Sequence, residues 1–107
     1  MLIPIDRGIL ETIYFRAMEG TTAARILETY QSRYSREPFV RLYKPGQVPD
    51  LKPVLRTNFC DIGFRFDAAT GRAVVVSVID NVVKGAAGQA IQNMNLVLGY
   101  SEAEGLL

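Results

Sequence analysis

The chain has 107 residues, 49% of them apolar, with 12 basic and 11 acidic side chains, no histidine and a formal net charge of +1. That size fits one domain or part of one, and the charge balance marks neither a nucleic-acid-binding face nor an acidic tail. No run approaches roughly 18 apolar residues and no basic segment leads into an apolar one, so neither a spanning helix nor a secretory leader is expected; the single cysteine leaves no disulfide framework or ordinary zinc shell and fits a reducing, cytoplasmic setting.

Residues 2–17 read as a long strand. Ile9, Ile13, Phe15 and Ala17 share one face with Glu11, while Leu10, Thr12, Tyr14 and Arg16 share the other, so each side is expected to be at least partly covered. Glu19-Gly20-Thr21-Thr22 breaks the pattern, and either threonine suits the cap of a following helix. Ala23, Ile26, Leu27, Tyr30 and Tyr34 form one stripe at helical spacing, with Arg25, Glu28, Arg33 and Arg36 mostly off it. Pro38 closes the helical region and residues 39–43 read as a short strand. Residues 44–53 contain Pro45, Gly46, Pro49 and Pro53 and read as a loop.

From Val54 to Phe66 the pattern is extended again. Cys60, Ile62, Phe64 and Phe66 fall on one face, and Asp61, Gly63 and Arg65 on the other. Residues 67–71 read as a hairpin loop with Gly71 in the left-handed position. The return strand, residues 72–79, carries valine at 74, 75, 76 and 78, so neither face is polar and the strand is expected to be central or against a partner. Ala87, Ala90, Ile91, Met94, Val97 and Leu98 then repeat at helical spacing. The order is strand, helix, strand, two-stranded hairpin, helix. It predicts an α+β fold with a mostly antiparallel sheet and helices on one face.

The run Asp80-Asn81-Val82-Val83-Lys84-Gly85-Ala86-Ala87-Gly88-Gln89-Ala90 joins the valine strand to the last helix. Unpaired N–H groups and the positive end of the helix dipole favour an anion or acceptor oxygen at such a point, and Lys84 adds charge. The same small residues equally suit tight packing of a helix start. Arg7 has the fork that reads phosphate or carboxylate, and it also suits an ion pair with Asp6 or Glu11; Arg41, Arg56 and Asn58 are weaker candidates of the same kind. Cys60 lies among apolar strand residues with no histidine to activate it and reads as structural. Tyr30, Tyr34 and Tyr43 read as core or interface.

Asp80 to Ala90 and the following Gln92-Asn93-Met94-Asn95 resemble the C-terminal signature of the N-acetyl-gamma-glutamyl-phosphate reductases. Residues 4–10, Pro-Ile-Asp-Arg-Gly-Ile-Leu, resemble the strand that re-enters that family's sheet. Glu37-Pro38-Phe39-Val40-Arg41 and Thr57-Asn58-Phe59-Cys60-Asp61-Ile62-Gly63 resemble two more of its segments, in order and at believable spacing. The family's dinucleotide fingerprint, its nucleophilic cysteine in a glycine-cysteine-tyrosine-proline context and its catalytic histidine have no counterpart here, so no catalytic residue is expected in this chain. The resemblance implies a C-terminal third, a domain over residues 1–107 like that of glyceraldehyde-3-phosphate dehydrogenase-like enzymes. Residues about 80–99 would pack on a nucleotide-binding domain. It also implies NADP as cofactor, an acyl-phosphate substrate in arginine synthesis, and a homo-oligomer formed through the sheet. Asn81 would orient the nicotinamide, with Gly85, Ala86 and Gly88 leaving the backbone open in a recess beside it, and Arg7 would be a substrate contact. Two alternatives stay open, a non-catalytic homodimerisation module and the related carrier-linked aminoadipyl-phosphate reductase of lysine synthesis.

Overall fold

The computed structural model describes residues 7–107. Eight-residue strand β1 (Ile9–Arg16) leads to helix α1 (Ala23–Tyr34) and short strand β2 (Val40–Leu42). A 3₁₀ turn (Lys52–Val54) precedes the hairpin of β3 (Cys60–Asp67) and β4 (Arg72–Ile79). A π turn (Val83–Ala87) then runs directly into α2 (Gly88–Leu98). Residues 2–6 of the expected first strand lie outside the described residues.

The strands form one sheet in the order β1-β4-β3-β2. β4 is antiparallel to both neighbours, from Ile9 opposite Ile79 to Arg16 opposite Arg72 on one side and from Cys60 opposite Ile79 to Asp67 opposite Arg72 on the other. This confirms the α+β class, the central valine strand and the hairpin, whose Gly71 takes φ of 74°. β2 is the one departure: it runs parallel to β3, making the sheet mixed. Parallel neighbours need a crossover rather than a tight turn, and residues 43–59 supply it. The expected extended run from residue 54 therefore starts as the 3₁₀ turn and becomes strand only at Cys60.

Each sheet face has its own cover. On one, Phe64 and Val75 pack with Ile26 of α1, flanked by Ala23, Leu27, Tyr30, Ile62 and Phe66. This is the helical stripe read from the sequence, and α1 starts as expected, with Thr22 Oγ1 accepting the Arg25 N–H at 3.1 Å. On the other face Val76 and Val78 pack under Leu51 and Val54 of the crossover. Gly63 lets the crossover pass this closely: a Cβ there would lie 2.5 Å from the Gln47 carbonyl oxygen and 2.6 Å from the Pro49 ring. Helical cover of the sheet thus comes from α1. Helix α2 enters neither apolar cluster.

Candidate functional site

The residues of interest gather where β4 ends. Asp80 follows the last paired residue, Ile79, and is fully buried. One carboxylate oxygen accepts Arg7 Nε–H and the Arg56 backbone N–H, both at 2.6 Å. The other accepts the N–H groups of Val82 at 2.8 Å and Val83 at 3.2 Å. Burial pushes this carboxyl up, but the hydrogen bonds from Arg56, Val82, Val83 and Arg7 outweigh it and hold the group below the ordinary aspartate value. The anion expected at the mouth of the last helix is therefore supplied by the chain itself. The π turn uses further donors, with Gly85 N–H on the Asp80 carbonyl at 3.1 Å and Ala87 N–H on that of Val82 at 3.0 Å.

Lys84 does not project from this turn. Its Nζ donates to Gln92 Oε1 at 2.6 Å and lies 5.5 Å from the centre of the Phe39 ring. Burial lowers its pKa, with Cys60, Glu102 and Glu37 acting in the other direction. Gln92 also accepts from Asn58 Nδ2 at 2.9 Å and donates to Glu102 at 2.6 Å. Asn58, read as a weak anion contact, is thus the buried anchor of α2. Asn95, one turn further on, donates to the carbonyls of Glu102 and Glu104 at 3.1 and 2.9 Å.

The two glycines of the turn differ. Gly88 is buried, and a Cβ there would run into Asn58 Oδ1 and stand 2.6 Å from the Val83 carbonyl oxygen. Its missing side chain serves the chain's own packing, which corrects the expectation of open backbone at that residue. Gly85 and Ala86 are exposed. A Cβ at Gly85 would meet nothing nearer than Ile79 Cδ1 at 3.5 Å, an ordinary contact, so packing within the chain does not call for glycine there. Among the described residues, a concavity of about 480 Å³ lies on the sheet, lined by Tyr14, Phe15, Arg16, Arg72, Ala73 and Val74.

Asn81 is half-buried, and its Oδ1 accepts the Gly8 N–H at 2.8 Å; its Nδ2 donates to no group among the described residues. Arg7 pairs with Asp80, not with Glu11, and Asp6 lies outside the described residues. Arg41 is engaged structurally: its guanidinium binds Asp61 at 2.5 and 3.1 Å and the Pro53 carbonyl at 3.2 Å, and it stacks over Phe59 at 4.1 Å. Tyr43 donates to the same aspartate at 2.8 Å. Cys60 is half-buried with Ser77 Oγ 3.4 Å away, as a structural thiol would be.

Residues 1–81 match the family model described as semialdehyde dehydrogenase, dimerisation domain. The chain belongs to this family. Among curated proteins, the N-acetyl-gamma-glutamyl-phosphate reductase of Geobacillus kaustophilus is 51% identical over 105 residues, covering 98% of this chain and 30% of the relative. That of Geobacter metallireducens is 52% identical over 105 residues, with the same coverage. The chain thus spans about 30% of the length of the curated relatives it matches. The fold is also that of an aspartate semialdehyde dehydrogenase II crystal structure from Vibrio cholerae, complexed with ASA, with a TM-score of 0.68 at 21% identity over 91% of this chain and 29% of that one.

The match to the dimerisation domain contains all four strands and ends before the π turn and α2. Sequence reasoning placed Asp80 in the motif but missed its role as the hub. A carboxylate one residue beyond an apolar strand, followed by unpaired N–H groups at a helix start, was the available signal. The Asn58–Gln92 link joins residues 34 apart and has no local signal at all.

Proposed function

We propose that this chain is the dimerisation segment of an NADP-dependent reductase that converts N-acetyl-glutamyl 5-phosphate to its semialdehyde in arginine synthesis, in the cytoplasm. The names of relatives about half identical over nearly the whole chain support the substrate class. One observation carries the site: the Asn81 amide has its oxygen tied to Gly8 N–H, and it stands in the sequence just before the exposed Gly85–Ala86 turn.

The bound cofactor would supply the hydride. The chain's own residues do the rest of the work on this wall. Asn81 directs an N–H donor at the nicotinamide carboxamide, and Gly85 and Ala86 keep the adjoining backbone free of long side chains. Holding the ring still matters, because a displacement of about 1 Å can cost roughly a hundredfold in rate. Arg7 keeps the edge of this wall in place through Asp80 and leaves the rest of its guanidinium for an acyl-phosphate oxygen. Gly88 acts behind the wall by seating α2 on Asn58.

Two surfaces complete the reading. The sheet concavity at Tyr14, Val74, Arg16 and Arg72, inside the dimerisation match, receives a second copy of the chain. The outward apolar side of α2, with Ile91 39%, Met94 50% and Leu98 59% exposed, lies beyond that match and receives the nucleotide-binding part of the reductase. The purified chain should show no turnover with NADPH and the acyl phosphate. Replacing the matching segment of the Geobacillus kaustophilus reductase with this one should preserve turnover. Asn81→Ala in that hybrid should then lower kcat about a hundredfold. Turnover by the chain alone, or an unaltered kcat in the Asn81 variant, would contradict the assignment.

A further inference from the structure

Past Ile9 and Ile79 the β1–β4 ladder stops and side chains replace it. Asp80 takes the Arg7 guanidinium and Asn81 takes the Gly8 N–H, so two consecutive residues at the end of β4 grip two consecutive residues at the start of β1. The remaining bonds of Asp80 reach two more segments, the π turn through Val82 and Val83 and the crossover through Arg56. Arg56 has φ of 63°, the only positive value at a non-glycine among the described residues, and it is the residue whose N–H meets Asp80. A left-handed arginine costs free energy, so the carboxylate is holding a conformation the backbone would not choose. Three segments therefore converge on one buried carboxylate, with Asn81 beside it.

The polarity of the Asn81 amide follows from this arrangement. Gly8 presents an N–H, so only the oxygen end of the amide can face it; the reversed amide would set donor against donor. We propose that Asp80 is the positioning residue of the ligand wall: by fixing Arg7–Gly8 against Val82–Val83 it commits the Asn81 oxygen to the protein, so that the Asn81 side chain turns its N–H donor to a ligand. This rests on the reading of Asn81 as a cofactor contact and states its chemistry more narrowly. The ligand atom that meets Asn81 is an acceptor, the carbonyl oxygen of the nicotinamide carboxamide rather than its amino group. The low proton affinity of Asp80 agrees, since a protonated carboxyl would lose its hold on Arg7.

Two measurements test the proposal. In the chain itself, amide hydrogen exchange should find Gly8 protected through Asn81. Asp80→Asn keeps the shape and removes the charge, and it should cut the Gly8 protection at least about tenfold while Val75 and Val76 in the central strand keep theirs. Unchanged protection at Gly8, or an equal loss at all three amides, would overturn the positioning role. In the hybrid reductase, thionicotinamide NADPH replaces the carbonyl oxygen with sulfur, a poor acceptor. The unsubstituted hybrid should prefer the natural cofactor about tenfold in kcat/KM. Asn81→Ala should abolish the preference, and Asp80→Asn should abolish it too, by slowing the natural cofactor alone. If Asn81→Ala leaves the preference intact, the cofactor reading fails whatever Gly8 does. If Asn81→Ala abolishes it and Asp80→Asn slows both cofactors equally, the cofactor reading stands and the positioning role fails.

Discussion

The two α-helices among the described residues are built in opposite senses. α1 turns Ile26, Leu27 and Tyr30 toward the sheet and leaves Arg25, Glu28 and Arg33 in water. α2 buries Gly88, Gln92 and Asn95 and turns Ile91, Met94 and Leu98 outward. A helix whose apolar side faces its own sheet has found its partner within the chain. A helix anchored by amides, with its apolar side bare, has an unfilled contact. The amides make this possible because they are paired from within the chain: Gln92 with Asn58, Lys84 and Glu102, and Asn95 Nδ2 with two tail carbonyls.

The largest effect expected from this contrast is in the core under α1. Phe64→Ala should destabilise the chain by about 3–5 kcal/mol in denaturant unfolding, whereas Met94→Ser on α2 should change it by no more than about 0.5 kcal/mol. A comparable loss at Met94 would mean that the outer side of α2 has a partner within the chain. Next comes the α2 anchor. Gly88→Ala should cost about 1–3 kcal/mol through overpacking against Asn58 and Val83, while Gly85→Ala should be close to neutral in thermal unfolding. Equal costs at the two glycines would erase the distinction drawn between them.

The smallest effects separate the two helix starts. α1 is capped by a neutral hydroxyl, so Thr22→Ala should cost about 1 kcal/mol at any pH where the chain is folded. The π turn that leads into α2 is held by a carboxylate whose folded pKa lies below its unfolded value. That contribution is complete above the unfolded aspartate pKa, about 4, and is lost as pH falls through the lower folded value. Acid titration followed by amide exchange should therefore loosen Val82 and Val83 before α1, and Asp80→Asn should remove that pH dependence.

Much of the fold is legible in the sequence, because the signals are local. The α1 stripe, the Gly71 hairpin and the run of valines each lie within about one element, and each has one good solution. The parallel seat of β2 was not legible, since it depends on where a proline-rich crossover lands, and that in turn depends on the absent side chain at Gly63. At the site, Asn81 was singled out by its chemistry and by a family resemblance, and its bond to Gly8 N–H carried no local signal. The inward turn of Lys84 was not legible either, because a lysine beside glycine carries no sign of the glutamine eight residues on that receives it. The split between Gly85 and Gly88 was hidden for the same reason: spacing registers a missing side chain without saying which neighbour needs the room.

The single bond partner of β1 in the sheet is β4, the last strand to appear along the chain. While the polypeptide emerges from the ribosome, residues 9–16 must wait, unzipped and rich in isoleucine and aromatic side chains, until about sixty more residues have been translated. The β3–β4 hairpin closes locally and fast, but docking of the first strand is a long loop closure. Expression yield should thus be governed by that interval of waiting, when the nascent edge is open to other chains, more than by the stability of the finished sheet.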